Sequence, residues 1–485
     1  MADRPNILFL MTDQMQGRVL EPDHPCQTPT FDALAARGVR LTRAYTPNAI
    51  CSPARASLMT GLLPHTHRVV QVTHCQPPHM VALDRSKPHW AQRLRDAGYR
   101  TGYFGKWHVE DDNALNEFGW AYDGNAKGER MQQFLAEHEP RLPEVNVIKE
   151  RRLLGVEGYD AKPFYGVNDR KPEHRGCGLV TTHALQWLDD GVIDGDDPWC
   201  CFVSVQEPHD PFIVGKDAYE RYDPKSLPVP NNWHDDLAGR PGLYRKSARV
   251  FQEMSLAERK EAAACYFGMI TEIDSQFARV IERVKQAGQL ENTIVVLTSD
   301  HGEFLGAHGL YQKNVGAYEE AYNIPMVLAG PGIAPHGAVD ARVGLHDLGA
   351  TLIDLVGLNN FETPESRSFA PLLRDPDAHQ DQHTTGYAEY YGGRYWYSQR
   401  IYWDGPWKLV WNGFDFDELY NLDDDPGETH NLIDAPEHAE RVRAMMAAVW
   451  RIVRETDDHP LYRSNYPSLR LAPYGPAIEH DTANT

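Results

Sequence analysis

The sequence predicts an α/β protein with a large, mostly parallel sheet flanked by helices and a smaller carboxyl-terminal antiparallel sheet with a helix. Apolar runs of strand length alternate with amphipathic helical segments, which is typical of a doubly wound sheet. One helical segment is much longer than the others, and short aromatic runs follow a change of composition after Gly357. With 485 residues, of which 41% are hydrophobic, the chain can bury a large core.

The strands of the large sheet are predicted from continuous apolar runs, because parallel strands are buried on both faces. The first covers residues 6–11 and leads directly into Asp13. The others cover residues 100–104, 199–205, 293–298 and 325–328.

The helices between these strands are predicted from their caps and apolar spacing. A helix over residues 31–37 is expected to have Thr30 as its N-cap, and another covers residues 89–97. The longest covers residues 256–287, with Ser255 and Glu258 as a capping box and Gly288 after its end. Two polar stretches, residues 124–176 and 215–246, lack periodicity and are expected to be long loops.

A domain boundary is expected within residues 362–385, which are rich in proline, aspartate and histidine. We therefore divide the chain into an amino-terminal α/β catalytic domain, residues 1–375, and a carboxyl-terminal α+β subdomain, residues 376–485. The aromatic runs at residues 394–397, 400–403 and 407–411 predict an antiparallel sheet, with a helix over residues 436–453 packed on it.

Charge and cysteine content limit the classes of partner. The net charge is −21 and no run rich in lysine and arginine occurs, which disfavours nucleic acid and anionic membranes. Seven cysteines without a CxxC spacing favour free thiols in a reducing compartment. The apolar run at residues 7–11 is too short for a signal peptide, and no run of 18 apolar residues occurs. We expect a soluble, cytoplasmic protein.

Polar side chains follow the predicted strands at the edge where the active sites of α/β sheets lie. Asp13 and Gln14 follow the first strand, and Asp300 and His301 follow residues 293–298. Two carboxylates, an amide oxygen and an imidazole favour Ca²⁺ or Mg²⁺, while the nitrogen ligand adds weight to Mn²⁺. Lys106, His108 and His209 follow two further strands at the same edge.

The most specific segment is Cys51-Ser52-Pro53-Ala54-Arg55, which continues to Gly61. With it, the chain resembles the type I, formylglycine-dependent sulfatases of the alkaline phosphatase superfamily over nearly its whole length. The other matching segments are residues 5–13, Gly105-Lys106-Trp107-His108, Pro208-His209-Asp210-Pro211-Phe212, Asp300-His301-Gly302-Glu303 with Lys313, and residues 418–426.

The resemblance implies an alkaline phosphatase-like fold and a role for each matching residue. A maturation enzyme, either formylglycine-generating or anaerobic sulfatase-maturating, converts Cys51 to formylglycine, whose hydrate attacks sulfur in line with the leaving oxygen. The implied ligands of the single divalent metal, Ca²⁺ with Mn²⁺ as the alternative, are Asp13, Cys51, Asp300 and His301, with Gln14 near the metal or the substrate.

The remaining implied roles concern sulfate binding and proton transfer. Lys313 and His209 hold the sulfate oxygens and protonate the leaving group. His108 then takes a proton so that the hemiacetal collapses and releases sulfate. Arg55 and Lys106 fix the oxygens at position 51.

Two pairs of residues differ from the pattern of many sulfatases, and they leave an alternative activity open. Asp13-Gln14 and Asp300-His301 resemble the phosphonate monoester hydrolase and choline-sulfatase branches of the superfamily. Lys106 and His108, which phosphonate hydrolases lack, favour sulfate esters. We therefore expect an arylsulfatase-like sulfuric ester hydrolase that acts on aryl or small alkyl sulfates and also cleaves phosphonates or phosphodiesters to some extent.

The first alternative is a phosphonate monoester or phosphodiester hydrolase with the same nucleophile. The second is an anion-binding protein in which Cys51 stays a thiol. The aromatic carboxyl-terminal sheet also leads us to expect a homodimer or homotetramer.

Overall fold

The computed structural model describes residues 4–77, 83–110, 114–153, 156–358, 361, 363–462 and 466–479. In this part of the chain the strands form sheets of eight, four and three strands. In chain order the strands are β1 (Asn6–Thr12), β2 (Val39–Tyr45), β3 (Arg100–Gly105), β4 (Tyr122–Asn125), β5 (Val147–Leu153), β6 (Lys162–Asn168), β7 (Trp199–Ser204), β8 (Phe212–Gly215), β9 (Thr293–Ser299), β10 (Met326–Ala329), β11 (Gly337–Gly344), β12 (Thr385–Tyr390), β13 (Gln399–Asp404), β14 (Trp407–Asn412) and β15 (Glu418–Asn421).

The eight-stranded sheet confirms the predicted mostly parallel architecture. Its strand order is β11-β2-β10-β9-β1-β7-β3-β4, and only β10 runs antiparallel to its neighbours. β1 pairs in parallel with β9 on one side and β7 on the other, and Thr12 lies opposite Ser299. Because β1 and β9 end in register, the residues that follow these two strands lie side by side.

Helices cover both faces of this sheet. Those of seven or more residues are Pro29–Ala36, Cys51–Thr60, Trp90–Asp96, Glu129–His138, Gly176–Asp189, Gly242–Ala248, Leu256–Gln286, Leu348–Leu355 and Ala439–Glu455. Shorter ones are Pro64–His67, Lys216–Tyr219, Glu319–Tyr322, Ala370–Arg374, Pro376–His379 and His459–Tyr462. No helix among the described residues is both long enough and apolar enough to cross a membrane.

The long helix, Leu256–Gln286, confirms its sequence prediction, including the reciprocal capping box of Ser255 and Glu258. The predicted cap of the first helix is wrong. The N-cap is Thr28, not Thr30, and Pro29 occupies the first helical position. Proline favours that position because its fixed φ suits the helix and its missing N–H is not needed there.

The first of the two predicted loops is also wrong, because residues 124–176 contain regular structure. β5 pairs antiparallel with β6, and β6 pairs in parallel with β8. Most side chains of β5 are exposed or only partly buried, so the strand carries no apolar run that the sequence could show. The second stretch is irregular between Tyr219 and Gly242, as expected.

The carboxyl-terminal sheet is antiparallel in the order β12-β13-β14-β15, as predicted, but the aromatic run at residues 394–397 forms no strand and lies between β12 and β13. One face packs on the helix Ala439–Glu455, with Trp411 in that contact. The other face packs on the large part of the chain, where Trp403 meets Tyr45 and Tyr322. The domain division at residues 375 and 376 stays a prediction.

A buried ion-pair network joins this sheet to the segment after the Cys51 helix. His65 Nδ1 lies 2.6 Å from Glu389 Oε1, and Arg400 Nε lies 2.9 Å from Asp458 Oδ2. Burial opposes the charge on His65, but the Glu389 carboxylate outweighs it and raises the His65 pKa to about 9.

The sign of this shift predicts a pH-dependent stability. A histidine whose pKa is raised on folding contributes stability that is complete below the unfolded value of 6.5 and is lost as the pH rises through about 9. His65→Gln should therefore lower the free energy of unfolding by roughly 3 kcal/mol more at pH 6 than at pH 10. Urea unfolding of both proteins at the two pH values measures this difference.

His336, which lies near the exposed Asp377, provides the matched control. His336→Gln should change stability little at either pH, because exposed ion pairs contribute under about 1 kcal/mol. An equal loss for His65→Gln at both pH values would contradict the assignment.

Candidate active site

Two carboxylates lie side by side at the end of the central strands. Asp13 follows β1 and Asp300 follows β9, and both side chains are fully buried. The backbone N–H of Gln14 donates to Asp300 Oδ1 at 3.2 Å, which ties the two strand ends together. The register of β1 and β9 thus places two negative charges at one point of the sheet edge.

Arg55 neutralises this pair from the Cys51 helix. Its Nε donates to Asp300 Oδ2 at 2.7 Å, and one terminal nitrogen lies 3.2 Å from Asp13 Oδ2. The other terminal nitrogen donates to the Lys106 carbonyl and to Ser204 Oγ, both at 2.8 Å. The guanidinium thereby connects the ends of β1, β9, β3 and β7.

Cys51 occupies the first position of the helix Cys51–Thr60, in which every residue is buried. Gly61 ends this helix with a φ of 68°, a left-handed conformation that glycine adopts without strain. The Cys51 Sγ lies 3.2 Å from His301 Nε2 and 3.8 Å from Asp13 Oδ1. His301 Nδ1 is 2.9 Å from the Gly302 carbonyl, so Nδ1–H donates there and Nε2 is the ring nitrogen that faces Cys51.

These side chains form a group that fits a divalent cation. One potential ligand atom from each of Asp13, Cys51, Asp300 and His301 lies within 4.8 Å of the other three. Two hard carboxylates with one imidazole suit Ca²⁺ or Mn²⁺ better than a structural zinc site. The donor set that the sequence predicted is therefore assembled at one buried point.

A second group of potential ligands, His65, Glu389 and Asp458, does not have the same need for a cation. The guanidinium of Arg400 already pairs with Asp458, and His65 pairs with Glu389. Positive side chains therefore already balance these carboxylates.

The pKa values in the site reflect burial and neighbouring charge. Burial and the nearby Cys51 both favour the neutral form of Asp13, yet the positive charges of Lys106, His209 and Arg55 together outweigh them and hold its pKa below the ordinary range. Burial also disfavours a thiolate at Cys51, but the charges of Lys106 and Lys313 lower its pKa well below the usual value. The two lysines therefore favour the thiolate form of Cys51 in the unmodified chain.

Three cationic or basic groups surround the open side of Cys51. Lys106 Nζ forms an ion pair with Asp13 Oδ2. Lys313 Nζ lies 2.7 Å from His209 Nε2 and 2.5 Å from Gln14 Oε1. An anion that approaches Cys51 meets positive charge and hydrogen-bond donors.

The two histidines of the site have opposite pKa shifts. Burial lowers the pKa of His108. Burial and Lys313 also act to lower the pKa of His209, but its interactions with Cys51 and the nearby Asp13 and Asp210 carboxylates give a net increase. Environments that separate the pKa values of two groups suit one to act as acid and the other as base.

Gln14, which the sequence placed near the metal or the substrate, contacts neighbours on the Lys313 side of the site. Its Oε1 accepts from Lys313, and its Nε2 donates to Asp210 at 3.1 Å and to Glu303 at 2.5 Å. Burial raises the pKa of Glu303 to about 7. Sequence analysis did not identify Glu303 as part of this network, although it directly follows the Asp300-His301-Gly302 segment.

A cavity of about 580 Å³ opens onto Cys51. Its wall contains Lys106, His108, His209 and Lys313, all of which the sequence predicted. It also contains His74, Asn125, Lys127, Asn314 and Arg394, which sequence analysis missed because they belong to none of the recognised segments.

Comparison with known proteins gives the family. The model of the sulfatase family matches residues 5–358, and a second model, described as N-sulphoglucosamine sulphohydrolase, C-terminal, matches residues 306–455. A choline-sulfatase of Rhizobium meliloti (strain 1021) is 28% identical over 465 residues, covering 89% of this chain and 83% of that protein. An arylsulfatase of Clostridium perfringens (strain 13 / Type A) is 26% identical, covering 90% of this chain and 92% of that protein.

A solved structure agrees on the fold. A phosphonate monoester hydrolase from Silicibacter pomeroyi superimposes with a TM-score of 0.77 at 23% identity, covering 96% of this chain and 98% of that chain.

The site geometry predicts a single cation whose binding depends on Asp300. Asp300→Asn should weaken Ca²⁺ and Mn²⁺ binding at least about tenfold, because one of two anionic ligands becomes neutral. Calorimetric titration of the metal-free protein, with metal analysis of the dialysed product, measures the affinity and the stoichiometry. His65→Gln is the control from the second group and should leave both unchanged. Loss of the ion in His65→Gln, but not in Asp300→Asn, would place the cation elsewhere.

Proposed function

The chain belongs to the sulfatase family, and on that premise we propose that it is a sulfuric ester hydrolase that cleaves sulfate monoesters beside Cys51. One observation carries the proposal. The motif cysteine converges with Asp13, Asp300 and His301 at a buried point that opens into a cavity lined by cationic side chains. Aryl and small alkyl sulfates are the proposed substrates.

The chain's side chains prepare the site for two groups. A formylglycine formed from Cys51 by a maturation enzyme supplies a hydrated aldehyde as nucleophile, and a divalent cation, Ca²⁺ with Mn²⁺ as the alternative, supplies the charge that activates it. Asp13, Asp300 and His301 hold the cation together with position 51. Arg55 pairs with both carboxylates and orients them.

The sulfate group is held by donors on the open side of the site. Lys313 Nζ and His209 Nε2 lie 2.7 Å apart, so both side chains are within reach of the same sulfate group. Lys106, paired with Asp13, adds charge beside position 51. Charge-assisted hydrogen bonds of this kind are roughly twice as strong as those between neutral groups.

The opposite pKa shifts of the histidines support their proposed roles. His209, whose pKa is raised, donates a proton to the leaving oxygen as the S–O bond breaks. His108, whose pKa is lowered, accepts a proton from the remaining hydroxyl at position 51 so that sulfate is released. A positioned acid or base contributes about 10²–10⁴-fold to the rate.

Phosphonate monoester or phosphodiester hydrolysis is the second candidate function. The superposition on a phosphonate monoester hydrolase supports a fold able to hold either tetrahedral anion. We propose that it is a side activity, because Lys106 and His108 are both present at the site. The unmodified anion-binding alternative is less favourable, because a Cys51 thiolate would repel the anion.

We also propose a cellular compartment and an oligomeric state, each from fewer observations than the activity. None of the seven cysteines forms a disulfide, which supports a reducing compartment such as the cytoplasm. We propose that the protein forms a homodimer or a homotetramer. Sulfate esters and the maturation enzyme are the proposed partners, and nucleic acids and membranes are not.

The proposal is tested by comparing kcat/KM for 4-nitrophenyl sulfate and a phenyl phosphonate monoester on the metal-loaded protein. The sulfate should be preferred, and the mass of the peptide containing residue 51 should show formylglycine. Cys51→Ala should lose turnover by at least about 10³-fold while it keeps its fold, since alanine fits the same space. A preference for the phosphonate, or full activity with an unmodified thiol, would refute the proposal.

The role of His209 predicts a dependence on the leaving group. His209→Ala should lower kcat for alkyl sulfates by about 10²–10⁴-fold but affect 4-nitrophenyl sulfate much less, because a nitrophenolate leaves without a proton. A series of substituted phenyl sulfates gives the slope of log kcat against leaving-group pKa, which should steepen in the variant. Equal losses across the series would show that His209 is not the proton donor.

A further inference from the structure

Beyond the groups assigned to sulfate, the cavity wall contains three more basic side chains, His74, Lys127 and Arg394. Lys127 follows β4, and Arg394 lies between β12 and β13. They come from parts of the chain that are far apart in sequence, yet they line one cavity. In a chain with net charge −21, such a concentration of positive charge marks a place where an anion is selected.

Lys127 and Arg394 have no ion-pair or side-chain hydrogen-bond partner among the described residues, and both are exposed. The carboxylates on the same wall are already engaged. Glu110 pairs with Arg85, and Asp210 accepts hydrogen bonds from Gln14 and Gln312. The positive charge at the cavity mouth is therefore available to a ligand.

Arg394 is held in place by the segment around it. The hydroxyls of Tyr390 and Tyr397, on either side, both donate to the Asn314 carbonyl, at 2.8 and 3.2 Å. A Cβ on Gly393 would lie 3.1 Å from Ile50, the N-cap of the Cys51 helix. The carboxyl-terminal sheet thus places the backbone beside Arg394 against the start of the helix that carries Cys51, and the Arg394 side chain lines the same cavity as Cys51.

His74 connects this charge with the proposed catalytic groups. Its Nδ1 lies 3.0 Å from His108 Nε2. Burial lowers the His74 pKa, the charges of Arg394, Lys106 and Lys127 lower it further, and Cys51 acts in the opposite direction.

We propose that the substrate carries a second anionic group, a carboxylate or a second sulfate, which Arg394 and Lys127 bind while the scissile sulfate lies at Cys51. This inference rests on the proposed function and narrows its substrate class to esters with an anionic organic part. An ester with a quaternary ammonium group is repelled by the same two side chains.

Non-hydrolysable sulfonates test the second anion site without turnover. Benzenesulfonate, benzene-1,3-disulfonate and 3-sulfobenzoate are titrated calorimetrically into the metal-loaded protein. At least one dianion should bind about tenfold more tightly than the monoanion, beyond the factor of two expected for two identical ends. If benzene-1,3-disulfonate shows the larger increase in affinity, the second group is a sulfate. If 3-sulfobenzoate does, it is a carboxylate.

Arg394→Gln and Lys127→Gln should each remove most of this preference, measured as the ratio of the two Kd values. Lys246→Gln is the matched control, because it removes one exposed positive charge outside the cavity wall and should leave the ratio unchanged. A dianion preference of twofold or less in the unaltered protein overturns the inference. A preference that persists in both variants overturns the assignment to Arg394 and Lys127.

Failure of the proposed function is detected separately in the same preparations. If protein that contains formylglycine hydrolyses no sulfate ester, the proposed function is wrong, regardless of how tightly the sulfonates bind. Hydrolysis of sulfate esters without any dianion preference overturns only this inference.

Discussion

The structure depends on one buried interaction, the guanidinium of Arg55 between the carboxylates of Asp13 and Asp300. Burial and the neighbouring Asp13 raise the pKa of Asp300, so the pair resists double ionisation. Removing a carboxylate from water costs several kcal/mol unless a partner compensates. The planar fork of arginine reaches both carboxylates and two further strand ends, which a lysine could not do. The catalytic edge of the sheet is therefore built around this side chain.

The same arrangement explains how an acidic protein can attract an anion. Arg55 and Lys106 balance the two aspartates, so Lys313 and His209, together with the proposed cation, would give the site a positive surplus. The acidic remainder of the chain repels anions at long range, but salt screens such repulsion within about 10 Å. Capture is consequently local, and it depends on side chains that line the cavity.

The sequence could predict what local patterns encode. β1 and β9 were visible because all of their residues are buried and apolar runs result, and Asp13 and Asp300 followed from the strand ends. β5 was missed because its side chains face solvent and its place depends on pairing with β6. The cap at Thr28 was missed because Pro29 decides the helix start. Lys127 and Arg394 were missed since only the tertiary fold brings two unrelated loops together.

The proposed chemistry and the proposed selectivity therefore reside on different elements. The groups around Cys51 come from the edge of the central sheet, whose strands are fixed by burial and register. Arg394 lies on the loop between β12 and β13 of the carboxyl-terminal sheet, and the described contacts of this loop include Asn314, Ile50 and Gln76. A loop of this kind can change without disturbing Arg55 and its carboxylates, because none of these contacts is part of that interaction. Relatives about a quarter identical can thus share the reaction while their names refer to different substrates, and the organic part of the ester must be determined from the cavity mouth.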